Sequence, residues 1–508
     1  MERRLAGLAA PPPETPAPRP DRPPLAPAQR RLWFLHQLTR GGPAYNVSTA
    51  YRLLGPLDAD ALERAVHRVV RRHEVLRTCY PADEAGEPFQ RVLDAGPEVG
   101  TDAGPEAPGR TPVTRYDLGS APDPAQAALR LAGQEADHRF RLDTQGPLRV
   151  WLARLGPDDH VLGVVVHHIA FDRESLTILT GELSAAYRAE TGTGTPDPAG
   201  TPDPAGTGAA APGLPPLGAQ YADFAVWQSG LAGTPVYERA LGHWRETLDG
   251  VPPVLELPAD HERPKEPTYR AGEAAVHVDA RTADRLRELS ADRGASLFMT
   301  CLAAFQGLLS RYTGASDLTV GCPVNGRMKV AYERLVGFFA NSLPITARLG
   351  DDPAFTVMVD RAREALLSAH AHQHVPFDRI VRELSPQRDL SRNPLVQVWF
   401  DLDAGGTGTA ADLLDLPGVR IGYFTEGRLR TRFDAEMHLG ERADGTVTGR
   451  LLYATDLFGA ATAEAFCEHY TNFLAAVAAD PGLRLSRVPI FSARQRSTLL
   501  DDWSVGTG

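Results

Sequence analysis

The feature that most constrains this chain is an apolar run, residues 161–166, that ends in His167-His168-Ile169-Ala170-Phe171-Asp172. A run this apolar predicts a buried strand. The chain must then turn at the two histidines, and an aspartate follows the second at a spacing of four. Successive side chains at a strand end point to opposite faces, so only one histidine can face a given cleft. A lone histidine beside a core strand is more often a hydrogen-bonded core residue than a catalytic one. Two histidines and an aspartate just past such a strand bring the functional reading level with the plain one, and chemistry alone leaves both open.

With 508 residues the chain is too long for one core, so two domains are expected. The net charge of −11 argues against nucleic acid or an anionic membrane as the main partner. Cys79, Cys301, Cys322 and Cys467 show neither metal-ligand spacing nor a CxxC pair. Free thiols in a reducing compartment are expected, with no metal. No signal-peptide pattern and no run of apolar residues long enough to span a bilayer occur, which makes a cytoplasmic location the default.

Prolines in 11–24 block a helix and predict an extended spacer. Helices are expected over 25–38, from Asp58 or Asp60 to Arg72, around 125–137, over 175–191 and over 221–248. Strands are expected at 44–54, 75–80, 148–155, 273–278, 318–323, 343–349, 396–402 and 449–452. Further helices are expected at 282–293, 296–312, 355–370 and 461–479. Between the halves, Thr195-Pro196-Asp197-Pro198-Ala199-Gly200 returns at Thr201, inside a segment with almost nothing to bury. A loosely tethered loop is expected there. The chain reads as α/β, with a helix-covered sheet in each half.

Several further stretches follow in a fixed order. They are Leu25-Ala26-Pro27-Ala28-Gln29-Arg30-Arg31-Leu32-Trp33-Phe34-Leu35, Arg72-His73-Glu74-Val75-Leu76-Arg77-Thr78 and, after the histidines, Tyr221-Ala222-Asp223-Phe224-Ala225-Val226-Trp227. Then come Gly337-Phe338-Phe339-Ala340-Asn341-Ser342, His372-Gln373-His374-Val375-Pro376-Phe377-Asp378 and Arg388-Asp389-Leu390-Ser391-Arg392-Asn393-Pro394-Leu395. HHxxxD alone is shared by several acyltransferase families. The ordered set resembles the condensation domain of nonribosomal peptide synthetases.

The resemblance implies two lobes, each like chloramphenicol acetyltransferase, set in a V with a tunnel between them. It divides the chain into a linker from an upstream carrier (1–24), an N-terminal lobe (25–191), the low-complexity loop (192–218), a C-terminal lobe (219–484) and a connector toward an adenylation domain (485–508). It implies amide bond formation, as in siderophore or antibiotic biosynthesis. The α-amine of a downstream carrier-bound aminoacyl thioester would attack an upstream peptidyl thioester. The expected partners are the two carrier domains, which deliver 4'-phosphopantetheine, and the adenylation domain; the domain itself binds no cofactor and is expected to be a monomer.

By the same resemblance His168 is the catalytic residue, His167 is structural, and Asp172 pairs with an arginine, for which Arg77 is the candidate. Asn341 and Ser175 are assigned to the acceptor side, and so is Arg173, which stands where the family usually has glycine. Glycine leaves room there. Arg173 either narrows the acceptor half of the tunnel, or turns to solvent or Glu174, or marks a poorly active domain. Asn341 has a plainer reading as a turn cap. The rivals are a non-catalytic recruitment module of the same fold, which would usually lack the second histidine, and a coenzyme A-dependent acyltransferase.

Overall fold

Two mixed β-sheets, each with its own hydrophobic core, organise residues 18–95, 113–193, 214–384, 389, 391–403, 414–425 and 427–497, which are the residues described in this computed structural model. The strands of the first half are β1 (Asn46–Leu54), β2 (Thr78–Cys79), β3 (Arg91–Val92), β4 (Val113–Asp117), β5 (Leu148–Gly156) and β6 (Asp159–His167). Those of the second half are β7 (Ala271–Val278), β8 (Asp317–Val324), β9 (Asn341–Arg348), β10 (Val398–Asp403), β11 (Arg420–Thr425), β12 (Ala435–Glu441) and β13 (Val447–Ala454). The helices are α1 (Pro27–Leu38), α2 (Ala59–Arg72), α3 (Pro124–Ala136), α4 (Arg173–Glu190), α5 (Tyr221–Ser229) and α6 (Pro235–Leu248). They continue as α7 (Ala280–Asp292), α8 (Leu297–Thr313), α9 (Phe355–Ala371), α10 (Phe377–Leu384) and α11 (Ala460–Ala479).

The first sheet has the order β11-β1-β6-β5-β4, and the second β7-β13-β12-β10-β8-β9. β6 lies in the middle of the first sheet, antiparallel to both neighbours, and is buried from His160 to His167. Its apolar run is therefore the signature of a strand covered on both faces. Gly163 is required within it, because a Cβ there would fall 1.9 Å from the Trp151 indole. α2 forms as its sequence predicts: Asp58 caps the N–H groups of Asp60 and Ala61, and Leu62, Ala65, Val66, Val69 and Val70 are buried on one face.

Some elements differ from the sequence expectation. The segment 75–80 is a 3-10 turn, Glu74–Arg77, followed by the two residues of β2. The helix expected over 221–248 is two helices. Gly230 caps α5, Gly233 turns the chain at φ +79°, and Thr234 with Pro235 starts α6 afresh. β4, β11 and β12 carry too little regular alternation to be read in advance.

Segments numbered beyond 219 also enter the first core. Tyr221, Phe224, Tyr332, Leu335, Phe339 and Leu414 pack there, and β11 hydrogen-bonds along β1. Residues 18–24 are held as well: Pro24 bridges Phe89, and Arg19 forks onto Asp223 and Glu74. The rest of the expected linker (1–17), most of the 192–218 loop (194–213) and the end of the connector (498–508) lie outside the described residues. Among those described, no helix is long and apolar enough to cross a membrane.

Candidate active site at the seam between the two sheets

His167 closes β6, opposite Asn46 of β1, and His168 opens the 3-10 turn His168–Ala170. The turn is fixed by neighbours from the sequence motifs. The buried Gln29 of α1 donates to the Ile169 carbonyl at 2.9 Å, and His167 Nδ1 accepts from the Ile169 N–H at 3.1 Å. His167 is 1% exposed and packs edge-on against His36, with ring centroids 5.0 Å apart. Burial, followed by the proximity of His36, His168 and the Arg432 charge, holds its imidazole well below the usual histidine range.

His168 keeps some accessible surface, and its Nδ1–H donates to the carbonyl of Phe171. That bond fixes the tautomer and leaves the Nε2 lone pair free to accept a proton. Burial, followed by the charge of Arg432, lowers its pKa to about 4, and the bond to Phe171 opposes this. The ring is therefore neutral near pH ~7. The ring of Phe338 covers one side of it, with centroids 4.6 Å apart.

Asp172 caps α4 and is 3% exposed. Its partner is not Arg77, as expected, but Arg327, whose Nη1 and Nη2 reach Oδ2 and Oδ1 at 2.9 Å each. Oδ1 also accepts from the Ser175 N–H at 2.9 Å and Oγ at 2.6 Å, and Oδ2 from the Phe339 and Ala340 N–H groups at 3.0 and 3.3 Å. Arg327 further donates to the Leu335 carbonyl at 3.0 Å and lies 4.4 Å over the Phe339 ring. A buried ion pair is tolerable only when further hydrogen bonds support it, as they do here at both carboxylate oxygens and both Nη atoms, while Arg327 Nε is left without a partner. Arg77 lies elsewhere and donates to the Leu93 carbonyl, because its 3-10 turn directs it toward β3.

Arg327 was legible in principle. Asn325-Gly326-Arg327 follows a strand, and Asn-Gly is a turn signal. Gly326 has φ +64°, and a Cβ there would sit 2.0 Å from the Phe339 carbonyl oxygen, so only glycine lets the two loops meet.

Ser175, assigned to the acceptor side, is instead fully buried in this knot. Its Oγ accepts from the Gly337 N–H at 2.9 Å and from Arg327 Nη2 at 3.1 Å. Asn341 spends its whole amide on the protein. Nδ2 donates to the Gln373 and Val375 carbonyls at 2.9 Å each, and Oδ1 accepts from Ser342 and Phe377 at 3.0 Å each. The turn-clasping reading fits it, because no capacity remains for a substrate. Arg173 reaches neither Glu174 nor bulk solvent alone: Nη1 binds Asp401 at 2.8 Å and Nη2 binds Asp403 at 2.9 Å, both on β10.

The other motifs end at the same seam. Tyr221 donates to the Phe338 carbonyl at 2.6 Å, which helps set that ring over His168. Arg72 and His73 converge on Glu182 of α4 at 2.9 and 2.7 Å. Arg31 of α1 reaches Asp378 at 3.2 Å and Asn393 at 3.1 Å; Arg388 and Leu390 of that last motif lie outside the described residues.

Known proteins share this arrangement. The condensation-domain profile matches residues 20–203 and 208–500. The chain is 36% identical over 503 residues to the probable non-canonical nonribosomal peptide synthetase CymA of Salinispora arenicola, covering 97% of this chain and 6% of that protein. It is 37% identical over 499 residues to the phosphinothricin tripeptide synthetase PhsC of Streptomyces viridochromogenes, covering 97% of this chain and 43% of that one. It thus spans less than half the length of either relative. Among solved structures, the X-domain from teicoplanin biosynthesis superposes with a TM-score of 0.80 at 31% identity, covering 94% of this chain and 99% of that one. The first condensation domain of the calcium-dependent antibiotic synthetase gives 0.74 at 21% identity, covering 93% and 99%, and shows the same chloramphenicol acetyltransferase-like fold. With the profile spanning nearly the whole chain and HHxxxD placed at the seam of two such lobes, this protein belongs to the condensation-domain family of the nonribosomal peptide synthetases.

Proposed function

We propose that this domain forms an amide bond between two carrier-bound thioesters in the cytoplasm, as one part of a longer assembly line. The upstream carrier brings an acyl thioester on its phosphopantetheine arm, and the downstream carrier an aminoacyl thioester. The amine nitrogen attacks the thioester carbon, and the carbonyl electrons move onto oxygen. Nε2 of His168 accepts the amine's hydrogen bond and then its proton. Collapse re-forms the carbonyl and expels the pantetheine thiolate, which takes up the proton. An α-amine titrates near pH ~7.7–8.0, so a useful fraction is neutral at working pH. Alignment then supplies most of the acceleration, up to roughly 7–11 kcal/mol for well-placed reactants.

The observation that supports this reading best is the state of His168: Nδ1 committed to Phe171, Nε2 free and the ring neutral. His167, Asp172, Arg327 and Ser175 act as structural support in this reading. Arg173 closes one approach to His168 through its two aspartates, and a series of acceptors assayed with Arg173→Gly tests that gate. An unchanged acceptor range and rate would remove it.

Dipeptide formation from loaded carriers, compared between wild type and His168→Ala, tests the reaction. A loss of about 10²–10⁴-fold is expected. The second reading, a recruitment module, is favoured by the 31% identity to the teicoplanin X-domain, which has been solved in complex with OxyB. Equal background rates for wild type and His168→Ala would select it.

A further inference from the structure

The reaction places a negative charge on the former carbonyl oxygen, and several of the backbone donors that border His168 are already committed. The Ile169 N–H serves His167, that of Phe171 serves the His168 carbonyl, and that of Ser175 serves Asp172. Across the seam, the Gly337 N–H serves Ser175, and those of Phe339 and Ala340 serve Asp172. An oxyanion needs a donor that is not committed elsewhere.

Arg432, just before β12, provides one. Its guanidinium lies over the ring of Tyr45, 5.3 Å from the centroid. Tyr45 directly precedes Asn46, the cross-strand partner of His167, so this cation from the second lobe reaches the wall that bears the histidine pair. Its backbone is anchored on both sides: the N–H donates to Glu436 Oε1 at 3.4 Å, and the carbonyl accepts from Asn393 Nδ2 at 2.5 Å. Glu436, whose charge interacts with that of Arg432, makes its side-chain hydrogen bonds to Thr431 Oγ1 at 2.5 Å and His438 Nε2 at 3.1 Å and none to the guanidinium. Among the described residues the guanidinium donates to no protein acceptor, and the side chain is half-buried. Guanidinium stays charged at every working pH and offers planar paired donors.

We propose that Arg432 is a further catalytic residue, whose guanidinium donates to the oxygen of the tetrahedral intermediate while His168 holds the amine. The proposal rests on the amide-forming reading above. It also accounts for the lowered basicity of His168, to which the Arg432 charge contributes after burial. The same charge repels an ammonium and so favours the neutral amine that reacts.

The test compares wild type, Arg432→Met and Arg432→Lys in single-turnover dipeptide formation with both carriers loaded. The expected result is a fall of about 10²–10³-fold in the rate constant for Arg432→Met, with half-saturation by the loaded carriers unchanged. Arg432→Lys should recover part of that loss. Ring NMR should show the His168 titration moving upward in Arg432→Met and not in Arg432→Lys. Should Arg432→Met fail to fold, Arg432→Gln makes the same comparison. A rate within twofold of wild type would overturn the assignment, as would equal losses in Met and Lys variants accompanied by weaker carrier binding. A wild-type domain that forms no dipeptide at all would instead overturn the parent reading, and this one with it.

Discussion

Asp172 and Arg173 are neighbours in sequence, and each joins the two lobes through an arginine–carboxylate contact. Asp172 and Arg327 are 3% and 2% exposed at their side chains, and every oxygen of the carboxylate is filled. Arg173 is 65% exposed and spans two aspartates that are themselves partly in water. The same pairing chemistry therefore has opposite consequences. Removing one partner of the buried pair strands a charge in a dry site. Removing one partner of the exposed pair returns both groups to solvent, where an ion pair is worth little. Two adjacent positions thus differ in kind: one pairs in a dry knot beside His168, and the other makes an ion pair that water already reaches.

The largest expected effect is on the buried side. Arg327→Ala should lower unfolding free energy by about 3–5 kcal/mol, measured by denaturant titration. A loss under roughly 1 kcal/mol would mean that the two contacts are equivalent after all. Ser175→Ala removes a hydroxyl that links Asp172, Arg327 and Gly337 and leaves their groups short of a partner. A cost of about 1–3 kcal/mol is expected, with the Phe338 ring loosened over His168.

Acidification acts on the same buried ground more gradually. His167 and His168 are held neutral below the ordinary histidine range, so between pH ~6.5 and about 4 the unfolded chain binds more protons than the folded one. Stability should be fully present above pH ~6.5 and fall as pH drops through that window. A melting temperature flat from about pH 7 to 5, where the His168→Ala variant is no less pH-dependent than wild type, would contradict this. Activity should fall on the acid side with the acceptor amine, near pH ~7.7–8.0, and show no separate break for His168 near 6.5.

The smallest effect belongs to the exposed fork. A double-mutant cycle between Arg173→Ala and Asp401→Ala should give a coupling of roughly 0.2–1 kcal/mol that shrinks as salt rises. A coupling above about 2 kcal/mol, insensitive to salt, would make Arg173 a lock and not a gate.

Much of the HHxxxD turn was visible in the primary structure, because a strand buried on both faces has to be apolar and has to end where polar residues begin. The apolar run, the turn at the histidines and the cap at Asp172 follow from that local rule. Arg77 misled because it sits inside an apolar stretch, which looks like a buried charge in search of a partner; its turn sends it to a carbonyl instead. Asn341 was left open between two readings, since a carboxamide at a strand start is chemically equal to the task of binding a substrate or clasping a loop.

The sequence by itself determined the α/β character, the strand that ends in HHxxxD and the order of motifs that marks the family, because these depend on burial periodicity and on residues close together along the chain. Only the tertiary structure decided that Arg327 serves Asp172 from 155 positions away, that Ser175 and Asn341 are fastenings, that Arg173 reaches across to β10, and that the Arg432 guanidinium lies over Tyr45. A forked arginine can satisfy any carboxylate or carbonyl within reach. Which one it meets is settled by how two sheets pack, and no local pattern encodes that distance.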